Sequence, residues 1–401
     1  MLRNRLLLLF SLLSLVSLKI SAQKADSLII TKLNNTIHPI EYLKGDSDFR
    51  DISFLKDALK DKDLIALGEV THGTVEVFDY KDRLIRYLVS NLGYKAIAFE
   101  SDFLAMENIN SYILGKVDTI HYVSGTAVLM SNGPLIKWLR SYNLSKPDKD
   151  KVQVFGVESR GYTNIFNKLI TVIPQLDNAD KDSMQAYLAK PFNSRVTKDE
   201  LNEFKAILAK LQNMQLSEAN TQYVQMLSQL ISYNNNRAIR DAYMANNVTW
   251  IKERVQNNKL ILWAHNGHLV KEVLNKNSLT MGSHLAKKYG SRYYVIGTDF
   301  NSGTADVNVF VAKNRPLKGF QPYYYAAVNS KRWYEYYFNQ CKYPNFIIDL
   351  NSSSKDDTLN EFLTQPHLMR SIGAVSTPVS TKLSMTRNYD LIIYFDKANS
   401  M

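Results

Sequence analysis

The sequence predicts an α/β fold with a parallel-sheet core, flanking helices, a helical insertion and a smaller C-terminal α+β portion. Short apolar runs alternate with helical patterns, which is typical of a parallel sheet covered on both faces. A long central stretch has helical pattern throughout, and the composition changes after Gly303. With 45% apolar and 22% charged residues, the 401-residue chain has an ordinary globular composition, which excludes wholesale disorder.

The predicted strands are separated by helices whose ends are marked in the sequence. One helix begins at Thr74 and ends before Gly93, and another covers Pro134–Tyr142 with the proline in its first turn. These signals place the two helices after the first and second strands. The predicted strands are, in chain order, Leu64–Gly68, Ala96–Phe99, Val152–Val157, Leu260–Trp263 and Tyr293–Ile296.

The rest of the chain divides around this core. Residues 164–254 lack strand patterns and are predicted to form a helical insertion between the third and fourth strands. The core therefore comprises residues 23–163 and 255–303, and residues 304–401 form a C-terminal α+β portion that completes the fold. Isolated strands are expected there at Val307–Val311, Phe346–Leu350 and Leu391–Phe395.

Residues 1–22 have the pattern of a secretory signal peptide. Arg3 and Arg5 precede the apolar run Leu6–Leu18, and small residues end at Ala22. The run is shorter than the roughly 20 residues that a membrane-spanning helix needs. We expect cleavage before Gln23 and a periplasmic or secreted mature protein without stable membrane insertion; the alternative is an anchor that is retained.

Charge and missing motifs narrow the function classes. The formal charge is +11 at pH 7, but Lys and Arg are spread along the chain among acids, so no nucleic-acid partner is indicated. The lone Cys341 excludes a disulfide framework and a cysteine zinc site within one chain. Serine-nucleophile elbows, phosphate loops and dinucleotide-binding glycine motifs are absent. The sequence leaves the oligomeric state unknown.

Carboxylates and histidines follow four of the predicted strands. In open α/β sheets the ligand crevice lies at the carboxyl ends of the strands, so we expect these side chains to share one rim. Charged groups at such positions seldom stay buried without a role or a partner. The residues are Glu69, His72, Glu100, Glu158, His265 and His268.

Such a cluster supports proton transfer. An imidazole with a pKa of about 6.5 can take a proton from water near neutral pH, and a carboxylate can fix its tautomer. Water activated in this way attacks an ester or amide carbonyl. Structural alternatives stay open: a helix-start pair for Glu69 and His72, an arginine partner for Glu100, packed core histidines, and a purely structural Glu158. A zinc site is weakly indicated, since H-E-x-x-H is missing.

Four segments resemble the erythromycin esterase family. The resemblance implies an α/β fold with a helical insertion and hydrolysis of a macrolide lactone without metal or other cofactor. It also implies that His72 is the general base on water and that Glu69, Glu100, His265 and His268 line the cleft. The matching segments are Ala66–Glu100, Ile239–Trp250, Trp263–Leu269 and Met281–Phe300.

Departures from the family pattern leave room for a related ester. Lys81 stands where an arginine is usual, and Glu158 stands where an aspartate is usual. We assign both to substrate binding, together with Asn266 and with Gly73, which lets the backbone approach a substrate closely.

Two other functions compete with the hydrolase. The glycine-glutamate-x-x-histidine element also resembles that of haem-binding proteins of a related fold, and the chain has 24 tyrosines, which indicates a haem- or ligand-binding envelope protein as the alternative. A catalytically silent structural protein is the third. The second histidine pair, His265 and His268, favours the hydrolase that inactivates a macrolide and thereby confers antibiotic resistance.

Overall fold

A computed structural model describes residues 25–120, 132–191, 194–272, 279–312, 315–377 and 379–401. The predicted signal peptide, residues 1–22, lies outside these ranges. Within them, no helix has the length and apolar character needed to cross a membrane.

The described residues form a nine-stranded mixed sheet and a separate two-stranded one. The order in the large sheet is β1-β8-β11-β6-β2-β5-β3-β4, with β7 paired to β6. All neighbours from β11 to β4 are parallel, whereas β1, β8 and β7 pair antiparallel. This architecture confirms the predicted α/β class. The strands are β1 His38–Pro39, β2 Leu64–Glu69, β3 Ala96–Asp102, β4 Gln153–Glu158, β5 Leu260–His265, β6 Tyr293–Ala312, β7 Arg315–Tyr325, β8 Asn345–Asp349, β9 His367–Arg370, β10 Ser380–Leu383 and β11 Leu391–Ala398.

Helices cover both faces of the sheet. Alternate residues of β2 belong to different apolar cores, since Leu64 packs on one face and Ile65 on the other, as period-two strand geometry requires. Five of the helices lie between β4 and β5. The α-helices comprise residues 25–36, Leu55–Leu59, Val75–Leu92, Phe103–Ile113, Gly133–Leu144, Tyr162–Val172, Asn178–Leu188, Lys198–Gln212, Glu218–Asn235, Arg240–Arg254, Asn266–Leu269, Met281–Tyr289, Tyr334–Phe338, Leu350–Ser353, Asp357–Thr364 and Met385–Asn388.

The predicted end signals of the first core helix are observed. Thr74 is its N-cap residue, and Gly93 ends it in the left-handed conformation with φ 71°. The helix Gly133–Leu144 likewise has its proline in the first turn. These local signals are strong because they depend on neighbouring residues only.

The C-terminal strands differ from expectation. The predicted strands Tyr293–Ile296 and Val307–Val311 are parts of one 20-residue strand, β6, although polar residues separate them in the sequence. Its ladder continues because β11 and β7 pair with the polar middle section. Gly303 permits this: a Cβ there would lie 1.9 Å from the Ala398 carbonyl oxygen. The strands expected to be isolated, β8 and β11, belong to the main sheet.

Strand order and register bring the polar strand ends together. Chain order would separate β2 from β5, but the sheet places β5 between β2 and β3. Glu69 is the direct parallel neighbour of His265, and Phe99 is the neighbour of Trp263. Glu100, which follows Phe99, therefore lies on the opposite side of His265 from Glu69.

Candidate active site

The end of β2 carries a carboxylate with four partners. His72 Nδ1 lies 2.6 Å from Glu69 Oε1, while Lys81 Nζ lies 3.1 Å and Trp263 Nε1 lies 2.5 Å from Oε2. Lys81 also stacks over the Trp263 ring at 3.8 Å. The oxygen that contacts His72, Oε1, also lies 4.0 Å from His265 Nε2. Glu69 is thus fixed in place, with one oxygen toward the histidines.

The end of β3 carries the second carboxylate. Glu100 Oε2 accepts the backbone N–H of His265 at 2.9 Å and faces its Nδ1 at 3.1 Å. Glu100 Oε1 accepts Arg240 Nη2 at 2.9 Å and lies 3.4 Å from His268 Nε2. Both oxygens are therefore occupied, so Glu100 positions the surrounding groups.

His268 is held through both ring nitrogens. Its Nδ1 lies 2.9 Å from Asp241 Oδ2, and its Nε2 lies 3.0 Å from Arg240 Nη1. Asp241 also accepts the backbone N–H of Met281 at 2.9 Å. Because neither nitrogen is open, His268 orients Arg240 and Glu100 rather than exchanging a proton with a substrate.

Glu158 ends β4 and binds two arginines. Its Oε1 accepts Arg240 Nη2, and its Oε2 accepts Arg160 Nε. The side chain is buried, whereas those of Arg160 and Arg240 are 39% and 29% exposed. The rim thus continues from the histidines to a pair of partly exposed guanidinium groups.

Burial and neighbouring charges shift the pKa values of Glu69, His72 and Lys81 in opposite directions. Burial raises the pKa of Glu69, but the Lys81 and His72 charges outweigh it and hold that pKa well below its usual range. Burial lowers the pKa of His72, but the adjacent Glu69 outweighs it, so the net pKa is raised. Burial lowers the pKa of Lys81 to about 8 despite Glu69. The ionised Glu69 can only accept, so His72 Nδ1 carries the proton and donates it.

Around Glu100, the pKa values of the two neighbouring histidines shift in opposite directions. Burial raises the pKa of Glu100, but His268, His265 and Arg240 hold it well below its usual range. Burial lowers the pKa of His265, and the opposing effect of Glu100 is too small to reverse the shift. Burial also lowers the pKa of His268, but Glu100 and Asp241 raise it to above the ordinary value. His265 is therefore a neutral imidazole whose Nδ1 donates to Glu100.

Two imidazole nitrogens lack a hydrogen-bond partner among the described residues. The rings of His72 and His265 lie 3.9 Å apart between centroids. The described residues offer the Nε2 atom of His72 no hydrogen-bond partner, and the Nε2 atom of His265 is buried and unpaired. The side chain of His72 is 17% exposed and that of His265 is 12% exposed. Either nitrogen could accept a proton, and His72 is the more accessible.

Two overlapping groups could hold a metal ion. Glu69, His72 and His265, and also Glu100, His265 and His268, have ligand atoms within 4.8 Å of one another. Both carboxylates already have a cationic partner, because Lys81 pairs with Glu69 and Arg240 pairs with Glu100. These cations offset the charge that a divalent ion would otherwise balance.

Lys81 and Gly73, predicted to bind substrate, both contact protein groups in this structure. Lys81 is 1% exposed and its ammonium contacts Glu69 and Trp263. Gly73 approaches protein backbone instead: Asp306 N donates to Gly73 O at 2.9 Å, and a Cβ on Gly73 would lie 2.3 Å from Asp306 O. The close approach was correctly expected, but strand β6 occupies it.

Asn266 and Glu158 also have protein partners. The amide of Asn266 donates to Thr298 O at 2.7 Å and accepts Thr298 N at 3.3 Å. A Cβ on Gly68 would lie 2.1 Å from its amide oxygen, so Asn266 is enclosed between strands and does not face a substrate. The carboxylate of Glu158 is occupied by Arg160 and Arg240, so its direct contribution is to hold these arginines.

Sequence reasoning missed several members of the cluster. Arg240 and Asp241 begin the helix Arg240–Arg254, far from the strand ends in sequence, and they connect Glu100, Glu158 and His268. The matching segment Ile239–Trp250 contains both residues and could have singled them out. The sequence places Trp263 in a predicted strand and in a matching segment, but neither signal indicates its contact with Glu69. No local signal indicated Arg160, since its role depends on the partnership with Glu158.

Comparison with known proteins identifies the family. The sequence profile described as erythromycin esterase matches residues 89–398. The chain belongs to the erythromycin esterase family. The match covers Glu100, Arg240, His265 and His268 but begins after Glu69 and His72. The roles of Glu69 and His72 are therefore argued from their geometry.

The relatives found by sequence comparison have low sequence identity to this chain. The provisionally named hydrolase YbfO of Bacillus subtilis strain 168 is 25% identical over 312 residues, 64% of this chain and 69% of that protein. Erythromycin esterase type II of Escherichia coli is 24% identical over 322 residues, 66% of this chain and 75% of that protein. A crystal structure of a Bacillus cereus protein has a TM-score of 0.79 at 24% identity, covers 94% of this chain and 98% of its own, and shares the fold.

Membership of this family indicates a hydrolase of esterase type acting on a small-molecule ester. It favours the hydrolase over the ligand-binding alternative and agrees with the cluster of imidazoles and carboxylates at the sheet rim.

Proposed function

We propose that this erythromycin esterase family member hydrolyses a carboxylic ester, a macrolide lactone or a related ester, with water activated by His72 and without a metal ion. The observation that carries the proposal is the contact of 2.6 Å between Glu69 and His72 Nδ1. It fixes the tautomer and leaves Nε2 unprotonated in the neutral ring of a side chain that is 17% exposed.

The reaction follows from this geometry. His72 Nε2 takes a proton from water while the oxygen bonds to the ester carbonyl carbon, and Glu69 stabilises the imidazolium that forms. The partly exposed guanidinium groups of Arg160 and Arg240 supply positive charge near the developing oxyanion. Collapse of the tetrahedral intermediate breaks the bond to the alcohol oxygen, which receives the proton from His72. The products are a carboxylic acid and an alcohol.

A panel of macrolides and simple esters tests this proposal. Wild-type protein should add the mass of one water to at least one compound, measured by mass spectrometry, and His72→Asn should not. Unchanged masses across the panel, with folded protein at high concentration, would refute the ester-hydrolase proposal. Turnover of a macrolide would support a role in antibiotic resistance, whereas turnover of other esters alone would restrict the activity to related compounds.

We also propose that the protein is exported, on the basis of the pattern in residues 1–22. Sequencing of the mature N-terminus from a periplasmic or secreted fraction should find a start near Gln23. Recovery of the chain with an intact Met1 would contradict export by cleavage.

A further inference from the structure

A cavity of about 1150 Å³ adjoins the active-site cluster. It begins at Glu158 and Arg240 and extends between the helices Tyr162–Val172 and Glu218–Asn235. Its volume is slightly above that of ordinary small-molecule pockets, roughly 300–1,000 Å³. Arg240, which lines the cavity, contacts Glu100 of the active-site cluster at 2.9 Å, so the cavity is continuous with the edge of that cluster.

Cationic side chains outnumber anionic ones among the described residues that line the cavity. Three of these described residues carry a guanidinium group and one, Glu158, carries a carboxylate. That carboxylate is shared by Arg160 and Arg240, and Arg160 uses only Nε for it, which leaves both Nη groups without a partner among the described residues. Arg195 forms no ion pair within the described part of the chain and is exposed. Two guanidinium forks are therefore available to a ligand.

Neutral side chains add further hydrogen-bond donors. Four tyrosines line the cavity. Tyr162 accepts from Asn234 at 2.6 Å, whereas the hydroxyls of Tyr233 and Tyr243 find no hydrogen-bond partner within the described ranges. Hydroxyl and guanidinium donors with few competing acceptors suit a ligand that is rich in acceptors, and a guanidinium fork matches a carboxylate most closely.

We propose that this cavity holds the non-reacting part of an ester substrate and that this part carries a carboxylate. The inference rests on the proposed ester hydrolysis and narrows its substrate class to anionic esters. A substrate with a protonated amine at this position would be repelled by the unpaired guanidinium groups, so a macrolide that bears a basic amino sugar should be a poor substrate.

Two matched esters test the charge requirement. The mono-4-nitrophenyl ester of adipic acid carries a carboxylate where 4-nitrophenyl hexanoate carries a methyl group. We expect kcat/KM to be at least about tenfold higher for the adipate ester after subtraction of the background rate. Arg195→Gln should reduce that preference severalfold by raising KM for the adipate ester more than KM for the hexanoate ester. Arg332→Gln, which removes the same charge outside the cavity, is the matched control.

A binding measurement separates this inference from the hydrolase proposal. The 4-nitroanilides of the same two acids resist hydrolysis, and calorimetry should give the adipate compound a Kd at least about tenfold lower, with the difference reduced in Arg195→Gln. Equal affinities, or an equal loss in Arg332→Gln, would overturn the inference even if both esters are cleaved. Tighter binding of the adipate anilide without cleavage of either ester would support the anionic cavity and contradict the hydrolase proposal.

Discussion

The two glutamates of the active site each hold a histidine, yet the pKa values of the two imidazoles shift in opposite directions. His72 lies 2.6 Å from Glu69 and its pKa is raised, because this contact outweighs the burial. His265 lies 3.1 Å from Glu100 and its pKa is lowered, because burial is stronger there and the charge of His72 adds to it. The same pair of residue types therefore has two outcomes, set by contact length and desolvation.

The opposite pKa shifts indicate different roles for His72 and His265 in the site. When the environment shifts the pKa values of two neighbouring groups apart, one group commonly exchanges the proton and the other keeps one protonation state. His72 is the stronger base and the more exposed of the two, and His265 remains neutral beside it. Variants that remove one imidazole, and measurements that report which imidazole titrates, test this division of roles.

The largest effect is expected from His72→Asn. General-base catalysis contributes about 10²–10⁴-fold, so kcat should fall by that factor while thermal unfolding is nearly unchanged. His265→Asn is the matched variant, and we expect kcat to fall by no more than about tenfold, since that residue only supports the ring of His72. Steady-state kinetics of both variants measures the difference, and the reverse ranking would assign the base to His265.

Lys81→Met is expected to destabilise the protein. Removing one partner of a buried ion pair costs about 3–5 kcal/mol, because the Glu69 charge would be left without its cation. Urea unfolding of wild type, Lys81→Met and Lys81→Arg measures the effect, and the charge-retaining arginine should lose less. Equal stability of wild type and Lys81→Met would mean that Glu69 is not ionised in the folded protein.

The pH dependence of kcat/KM should identify the base. His72 must be neutral to accept a proton, and its pKa is raised, so activity should fall as pH drops through a value above the ordinary pKa of about 6.5. Glu69→Gln removes the raising charge and should move this acid limb to lower pH. An acid limb well below 6.5 in wild type would instead indicate His265, whose pKa is lowered.

Metal removal should have the smallest effect. The ammonium of Lys81 and the guanidinium of Arg240 already balance the two carboxylates that a divalent ion would use. We therefore expect ester hydrolysis after prolonged EDTA dialysis to equal that of an untreated sample within error. Loss of activity that Zn²⁺ or Mn²⁺ restores would replace the proposal with a metal-assisted mechanism through the Glu69, His72 and His265 group.

Much of the core could be predicted because its signals are local. Continuous apolar runs predicted β2 to β5 nearly to their ends, and Thr74 and Gly93 predicted the limits of the helix between β2 and β3. The five residues expected to be catalytic do come together, because parallel strands bring their carboxyl ends to one edge.

The contacts that sequence reasoning did not predict join residues distant in the chain. Nothing near Lys81 in sequence indicates that Trp263 and Glu69 enclose it, and nothing near Gly73 indicates that Asp306 lies against it. The polar middle section of β6 has the composition of a loop, yet pairing on both sides makes it a strand. Such outcomes depend on which segments meet, and residue type alone does not specify this.

Short-range sequence patterns were enough to predict the α/β class, the strands of the core, the residue types at their ends and the resemblance to a hydrolase family. Periodicity and composition suffice for these features because each depends on short segments. Only the tertiary structure decided that β5 lies between β2 and β3, so that His265 meets both Glu69 and Glu100. Only burial and contact distance then set the opposite pKa shifts of His72 and His265, because the free energy of a charge depends on its surroundings in space.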